Sequence, residues 1–151
     1  HRDLHYPLRR QRQMCIRDRA SGAARGAYVL SDVAAPEVLL LSSGSEVHIA
    51  LEAQRMLAEK GVQARVVSMP CWSLFEAQPE AYREQVLPAA ITARVAVEAA
   101  APFGWERYVG NEGRIVGLER FGASAPYERV YEELGITAEA MVEAALALVG
   151  D

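Results

Sequence analysis

Short apolar runs recur from residue 26 onward, and each has the length of a β-strand. The run within residues 37–42 contains one valine and three leucines in succession, which is typical of a strand buried on both faces of a parallel sheet. Glycine, proline and polar residues separate the runs, as expected for turns and loops. Strands are therefore predicted at residues 26–30, 37–42, 62–68, 91–98 and 114–119.

The longest predicted helix follows the second strand. Ser43 and Glu46 have the Ser-x-x-Glu spacing of a capping box, which predicts a helix that opens there and runs to about Lys60. Gly61 is placed to end this helix in a left-handed conformation. Shorter helical segments are predicted at residues 71–77, 80–87, 103–109 and 126–134.

The last helix is predicted at residues 138–149, directly after Thr137, a favoured N-cap residue. Its apolar residues recur at helical spacing and form a stripe that we expect to be buried. The residues of this stripe are Val142, Ala145, Leu146 and Val149. In the segment at 103–109, Trp105 and Tyr108 are one turn apart and are interpreted as helix packing.

The alternation of strands and helices with short links predicts an α/β fold. We expect a doubly wound, mostly parallel five-stranded sheet with helices on both faces. The first strand is a candidate for an antiparallel edge. No internal repeat or linker interrupts residues 26–150, so residues 20–151 are predicted to form one domain.

The composition changes this picture little. Of 151 residues, 51% are hydrophobic and 24% are charged, which suits a globular domain and excludes a disordered chain. No apolar run approaches the roughly 18 residues that span a bilayer, and no secretion signal is recognisable. Cys15 and Cys71 lack the spacing and the neighbouring histidines of a zinc site. We therefore expect a cytoplasmic protein with no membrane partner.

Charge divides the chain into two parts. Residues 1–19 carry six arginines and two aspartates, a net charge of +4, whereas residues 20–151 carry ten basic and eighteen acidic groups, a net charge of −8. An acidic domain repels a phosphate backbone, so no nucleic-acid partner is expected. Residues 1–19 show no helical or strand periodicity. They are interpreted as non-native sequence, a disordered basic arm, or an arm that binds nucleic acid or another partner.

Ligands bind at the carboxyl ends of the strands in sheets of this class. Ser43, Gly44 and Ser45 follow the second predicted strand and precede a helix, where backbone N–H groups face an anion. Arg120 ends a later strand and would add a positive charge across the same crevice. The sequence thus predicts a weak site for sulfate or a sugar phosphate. An ordinary helix cap is the alternative, because no Gly-x-Gly-x-x-Gly or P-loop pattern is present.

Other reactive side chains are interpreted as structural. His48 has no carboxylate or cysteine partner nearby in the sequence and is predicted to be a surface or packed residue. Cys71 has no histidine placed to make a thiolate and is predicted to be a small buried residue. Glu98 and Glu119 end neighbouring strands. They are interpreted either as an acid/base pair or, more simply, as helix caps or ion-pair partners.

Six segments, in this order along the chain, are similar to the C-terminal domain of bacterial transketolases. The resemblance covers residues 20–151, and no single motif carries it alone. The segments are residues 26–30 (GAYVL), 43–47 (SGSEV), 64–70 (ARVVSMP), 82–88 (YREQVLP), 92–99 (TARVAVEA) and 120–126 (RFGASAP).

The resemblance implies the last domain of a thiamine-diphosphate enzyme that moves a two-carbon ketol unit between sugar phosphates in the pentose phosphate pathway. In that family, a Gly-Asp-Gly…Asn pattern of the first domain holds the diphosphate and Mg²⁺. A glutamate of the second domain activates the cofactor. This chain has no Gly-Asp-Gly, and its single asparagine, Asn111, lies in a predicted turn. No catalytic, cofactor-binding or metal-binding residue is therefore expected in it.

The implied role is a non-catalytic scaffold that supports a homodimer. It would act with N-terminal domains missing from this chain, which bind thiamine diphosphate and Mg²⁺ in the full-length enzyme. One alternative is the same domain of a deoxyxylulose-phosphate synthase or a 2-oxoacid dehydrogenase subunit, although the segment at 120–126 favours transketolase. The other alternative is a stand-alone module that binds small anions.

Overall fold

A computed structural model describes residues 24–43, 46–98, 104–117 and 137–150. These ranges contain five strands, which are β1 (Tyr28–Ser31), β2 (Val38–Ser42), β3 (Ala64–Ser68), β4 (Arg94–Glu98) and β5 (Arg114–Gly117). They also contain five helices, which are α1 (Val47–Glu59), α2 (Trp72–Glu76), α3 (Glu80–Val86), α4 (Glu106–Val109) and α5 (Ala138–Val149).

The five strands form one sheet in the order β1-β3-β2-β4-β5. β2, β3, β4 and β5 are parallel, and β1 pairs antiparallel with β3 at one edge. The register places Leu39 between Arg65 of β3 and Arg94 of β4. The predicted α/β fold class is therefore confirmed, and the first strand is the antiparallel edge.

The strand β2 is buried along its whole length because helices cover both faces of the sheet. Val38 and Leu40 face a core that α1 and α5 complete. Leu39 and Leu41 face a second core, to which α2, α3 and α4 contribute. Each fully buried leucine contributes about 2 kcal/mol through removal of its side chain from water.

Two predicted helix ends are confirmed. Gly61 follows α1 with a φ of +80°, the left-handed conformation that glycine adopts readily. At the start of α5, the Thr137 hydroxyl accepts a hydrogen bond from the Ala140 N–H at 3.1 Å. In α5, Val142 and Ala145 are buried as predicted, whereas Leu146 and Val149 of the predicted stripe are only partly buried. Two residues that the pattern did not single out, Ala138 and Met141, are also buried.

The predicted capping box at the start of α1 is wrong. The helix begins at Val47, and Glu46 occupies the capping position without a side-chain cap hydrogen bond. The carbonyl of Glu46 accepts the N–H groups of Ile49 and Ala50, so helical hydrogen bonding starts three residues later than the Ser-x-x-Glu spacing indicated. The helix predicted at residues 126–134 lies outside the described residues.

Strands β1, β3 and β4 begin two or three residues later than predicted. The apolar run before Arg94 extends past the sheet, since pairing of β4 with β2 starts at Arg94 and Leu39. Hydrophobic runs therefore locate the strands, whereas neighbouring strands determine their ends.

Candidate functional site

The carboxyl edge of the sheet holds buried polar side chains. Ser42 ends β2, Ser68 ends β3 and Glu98 ends β4, and these side chains are 0%, 4% and 8% exposed. Glu46, which follows β2, is also buried. Ser42 and Ser68 are aligned in the register, and the Ser42 carbonyl accepts the Met69 N–H at 2.7 Å. The edge predicted to bind a ligand is thus closely packed where the structure describes it.

The predicted anion site is described only in part. Ser43 directly follows β2 and is partly exposed. Gly44, Ser45 and Arg120 lie outside the described residues, so the site stays a prediction. Because α1 begins at Val47, its N-terminal N–H groups lie further along the chain than expected, and the buried Glu46 precedes them.

Glu98 is held at this edge by a tryptophan. The indole Nε1–H of Trp105 donates to Glu98 Oε2 at 3.4 Å. Trp105 is completely buried and its ring lies 4.8 Å from the ring of Trp72, centroid to centroid, in an edge-to-face arrangement. Glu119, the proposed partner of Glu98, lies outside the described residues. In the described part, Glu98 therefore serves the packing of α4 against β4.

An aromatic cluster fills the core on the face covered by α2, α3 and α4. Tyr108 lies at its centre, with ring centroids 5.1 Å from Trp72, 6.3 Å from Trp105 and 6.2 Å from Phe75. Its hydroxyl donates to Glu76 Oε1 at 2.7 Å. The interpretation of Trp105 and Tyr108 as packing residues is consistent with these contacts. Burial, followed by the hydrogen bond to Glu76, raises the pKa of Tyr108 to about 12.

We expect the raised pKa of Tyr108 to make the protein sensitive to alkaline pH. An unfolded tyrosine ionises near pH 10, so this contribution to stability is fully present below about pH 10 and is lost as the pH rises toward 12. Tyr108→Phe should reduce the loss of unfolding free energy between pH 9 and pH 11.5, measured by urea unfolding. The same loss in both proteins would contradict this assignment.

Cys71 and His48 lie on the surface. The Cys71 side chain is partly exposed, so its prediction as a small buried residue is wrong. Cys71 precedes α2 in an extended conformation, which turns its thiol toward the Ser73 hydroxyl, 3.4 Å away. This hydrogen bond, with backbone N–H groups of α2, lowers the pKa of the Cys71 thiol. His48 is exposed in the first turn of α1, as predicted.

Two arginines at the opposite, amino edge were not singled out by their sequence context. Arg65 of β3 binds Asp32 through two hydrogen bonds of 2.8 and 3.2 Å and donates to the Gln85 carbonyl near the end of α3. Arg94 of β4 donates to four carbonyls in two neighbouring segments, the connection from α3 to β4 and the helix α4. These are the carbonyls of Ile91 (2.9 Å), Pro88 (2.9 Å), Tyr108 (2.6 Å) and, at 3.4 Å, Leu87.

Burial lowers the pKa of Arg94, although its guanidinium stays charged. The position of an arginine inside a predicted buried strand is the one signal that could have drawn attention to it. Arg94 also lines an open cavity of about 440 Å³ at this edge. The other lining residues are Ala89, Thr92, Val109, Gly110, Asn111 and Glu112.

Within the described ranges, no group of three His, Cys, Asp or Glu side chains is arranged to hold a metal ion. The helices described there are also too short or too polar to cross a membrane.

Residues 26–137 match the family model "Transketolase-like TK C-terminal domain". The chain belongs to this family.

Individual transketolases agree with the family assignment. The transketolase of Geobacillus stearothermophilus is 52% identical over 131 residues, which are 85% of this chain and 20% of that protein. The solved transketolase from Leishmania mexicana superposes with a TM-score of 0.77 at 43% identity, over 85% of this chain and 19% of that one. The chain thus spans about a fifth of the length of these relatives.

A third relative is described as the product of a split gene. A structure described as "Split gene transketolase, inactive beta4 tetramer" superposes with a TM-score of 0.66 at 26% identity. This chain covers 43% of that one. The transketolase-type C-terminal domain therefore also occurs in a protein whose name describes it as a split gene product.

Proposed function

We propose that this transketolase C-terminal domain is a non-catalytic scaffold that supports the dimer of a full-length transketolase. The observation that carries the proposal is the family match over residues 26–137, combined with coverage of only about a fifth of the relatives. The full-length enzyme would transfer a two-carbon ketol unit between sugar phosphates, in the cytoplasm, as part of the pentose phosphate pathway. Its partners would be the preceding domains and a second copy of the enzyme.

The packing of the carboxyl edge supports a structural role. Ser42, Ser68 and Glu98 are polar residues at the strand ends of the usual ligand-binding edge in the described ranges, and all three are buried. Glu98 accepts a hydrogen bond from Trp105, which anchors α4. The solved split-gene neighbour is described as inactive, which agrees with a C-terminal part that lacks activity by itself.

The described residues do not fit a site for thiamine diphosphate and Mg²⁺. A magnesium site needs carboxylate or carbonyl oxygens that converge on the ion and the diphosphate, and no metal-holding group of acidic side chains lies within the described ranges. We propose that the preceding domains of the full-length enzyme bind the cofactor, and we assign no reaction step to the described residues.

We expect thiamine diphosphate and Mg²⁺ to show no heat of binding when titrated into the 151-residue chain. A cofactor carries out its chemistry only where the protein binds and orients it, and this chain offers no such site in its described part. The Geobacillus stearothermophilus transketolase is the positive control in the same buffer. A micromolar dissociation constant for this chain would contradict the scaffold role.

The anion site at Ser43, Gly44, Ser45 and Arg120 remains a secondary proposal. Backbone N–H groups at the start of α1 support it, whereas the acidic domain and the buried Glu46 beside those N–H groups oppose it. Any affinity for phosphate would therefore be low and would fall as salt is added.

The matched relatives are transketolases, which favours this family over the other thiamine enzymes.

A further inference from the structure

The open cavity of about 440 Å³ at the amino edge of the sheet is large enough for a small molecule. Small-molecule sites in proteins have volumes of roughly 300 to 1,000 Å³. Val109 and Ala89 are apolar residues of the lining, and Thr92 and Asn111 add a hydroxyl and an amide. Arg94 adds a guanidinium. The lining therefore combines a positive charge with apolar surface and neutral polar groups.

The guanidinium of Arg94 has one N–H more than its carbonyl partners use. Nε donates to Ile91, and Nη2 donates to Pro88 and Leu87. Nη1 carries two N–H groups, of which one donates to the Tyr108 carbonyl at 2.6 Å. Within the described ranges, no protein acceptor takes the other one. The carbonyls thus fix the guanidinium in place and leave one donor on a side chain that lines the cavity.

The charge of Arg94 also lacks an ion-pair partner in the part of the chain that the structure describes. Three other arginines form ion pairs there, namely Arg55, Arg65 and Arg83. Arg94 binds neutral carbonyls instead. Glu84 acts on it only through its charge, and the carboxylate of Glu84 accepts a backbone N–H. Because salt screens a partly buried charge less than an exposed one, the guanidinium remains attractive to an anion.

We propose that this cavity binds a small hydroxycarboxylate, whose carboxylate contacts the free N–H of Arg94. Thr92 and Asn111 would hydrogen-bond the hydroxyl of the ligand, and Val109 would contact its short carbon chain. The proposal goes beyond the scaffold role and does not depend on it, since all of these residues lie in the described ranges.

Glu112 favours a singly charged ligand over phosphate. Its carboxylate also lines the cavity and repels an anion, and the repulsion grows with the charge of the ligand. A single free N–H on Arg94 can bind one carboxylate oxygen but cannot satisfy the several oxygens of a phosphate. With one charge-assisted hydrogen bond and a small apolar contact, we expect a dissociation constant in the millimolar range, about 1 to 10 mM.

Sodium lactate is the probe, titrated into the 151-residue chain at constant ionic strength and followed by backbone amide chemical shifts. The shifts should centre on Thr92 and residues 109–112 and should saturate. Lactamide has the same hydroxyl and methyl groups without the charge, so it should bind at least about tenfold more weakly. Inorganic phosphate should also bind more weakly than lactate, because Glu112 repels it more strongly.

Two pairs of variants test the cavity without removing Arg94, which the fold needs. Glu112→Gln should lower the dissociation constant for lactate about threefold, since a repelling charge is lost. Glu143→Gln removes the same charge from an exposed position on α5, across the sheet, and should leave the constant unchanged. Thr92→Glu should raise the constant at least about fivefold above that of Thr92→Gln, which has the same size but no charge.

Each of four other outcomes would overturn the proposal. Shifts that do not saturate, or that spread evenly over the chain, would show that the cavity holds no lactate. Equal binding of lactamide would exclude the charge of Arg94 as the recognition element. Equal effects of Glu112→Gln and Glu143→Gln would assign the change to the net charge of the chain. Tighter binding of phosphate than of lactate would contradict the carboxylate class.

Discussion

Gly26→Ala should lower the free energy of unfolding by about 4 kcal/mol, because two penalties act at one position. Gly26 has a φ of +88°, which an alanine tolerates poorly. The new Cβ would also stand 2.2 Å from the backbone carbonyl oxygen of Cys71, directly before α2, where no flexible side chain can move aside. Either β1 or α2 must shift, and the aromatic core behind α2 shifts with it. Urea unfolding of both proteins measures the difference.

Gly61→Ala is the matched control for this substitution. Gly61 has a similar φ of +80°, but a Cβ there would meet nothing within 4 Å. Its cost should therefore be the conformational penalty alone, about 1 kcal/mol. Equal losses at the two glycines would show that the close contact between Gly26 and the start of α2 contributes nothing.

Arg94→Met should cost about 3 kcal/mol of unfolding free energy, since one guanidinium joins several segments. Its N–H groups bind carbonyls in the connection from α3 to β4 and the carbonyl of Tyr108 in α4. Methionine keeps much of the side-chain volume but removes the guanidinium donors from these partly buried carbonyls, of which Pro88 keeps the Ile91 N–H. Chemical denaturation measures the loss directly.

Arg114→Met provides the control for Arg94. Arg114 begins the neighbouring strand β5, is exposed, and donates only to the adjacent carbonyls of Glu112 and Gly113 in the described ranges. Its replacement should change the unfolding free energy by less than about 0.5 kcal/mol. A similarly small change in unfolding free energy for Arg94→Met would refute the role of Arg94 in joining the segments at the amino edge of the sheet.

Local sequence patterns located most elements of this fold. Apolar runs predicted all five strands, and Gly61 and Thr137 marked helix ends, because strand and cap signals depend on neighbouring residues. The order β1-β3-β2-β4-β5 depends on contacts between distant segments, which no local pattern encodes. The capping box at Ser43 and Glu46 was wrong because hydrogen bonding of α1 begins at the Glu46 carbonyl.

The candidate site was less accessible to sequence reasoning. Strand order and burial show that Ser68 and Glu98 are packed rather than open, which spacing along the chain does not indicate. The role of Arg94 depends on carbonyls up to 14 residues away, and carbonyls carry no sequence signature. The aromatic cluster joins residues of α2 and α4, so the sequence revealed only its local pair, Trp105 and Tyr108.

The most direct test of the scaffold role is a paired assay of ketol transfer from xylulose 5-phosphate to ribose 5-phosphate. It compares the 151-residue chain with a chimera in which residues 24–150 replace the matching C-terminal part of the Geobacillus stearothermophilus transketolase, both with thiamine diphosphate and Mg²⁺. We predict no transfer above background by the chain, and transfer by a dimeric chimera within about tenfold of the unmodified enzyme, because the domain supplies no reacting group. Transfer by the chain alone, or a folded dimeric chimera without activity, would contradict the account.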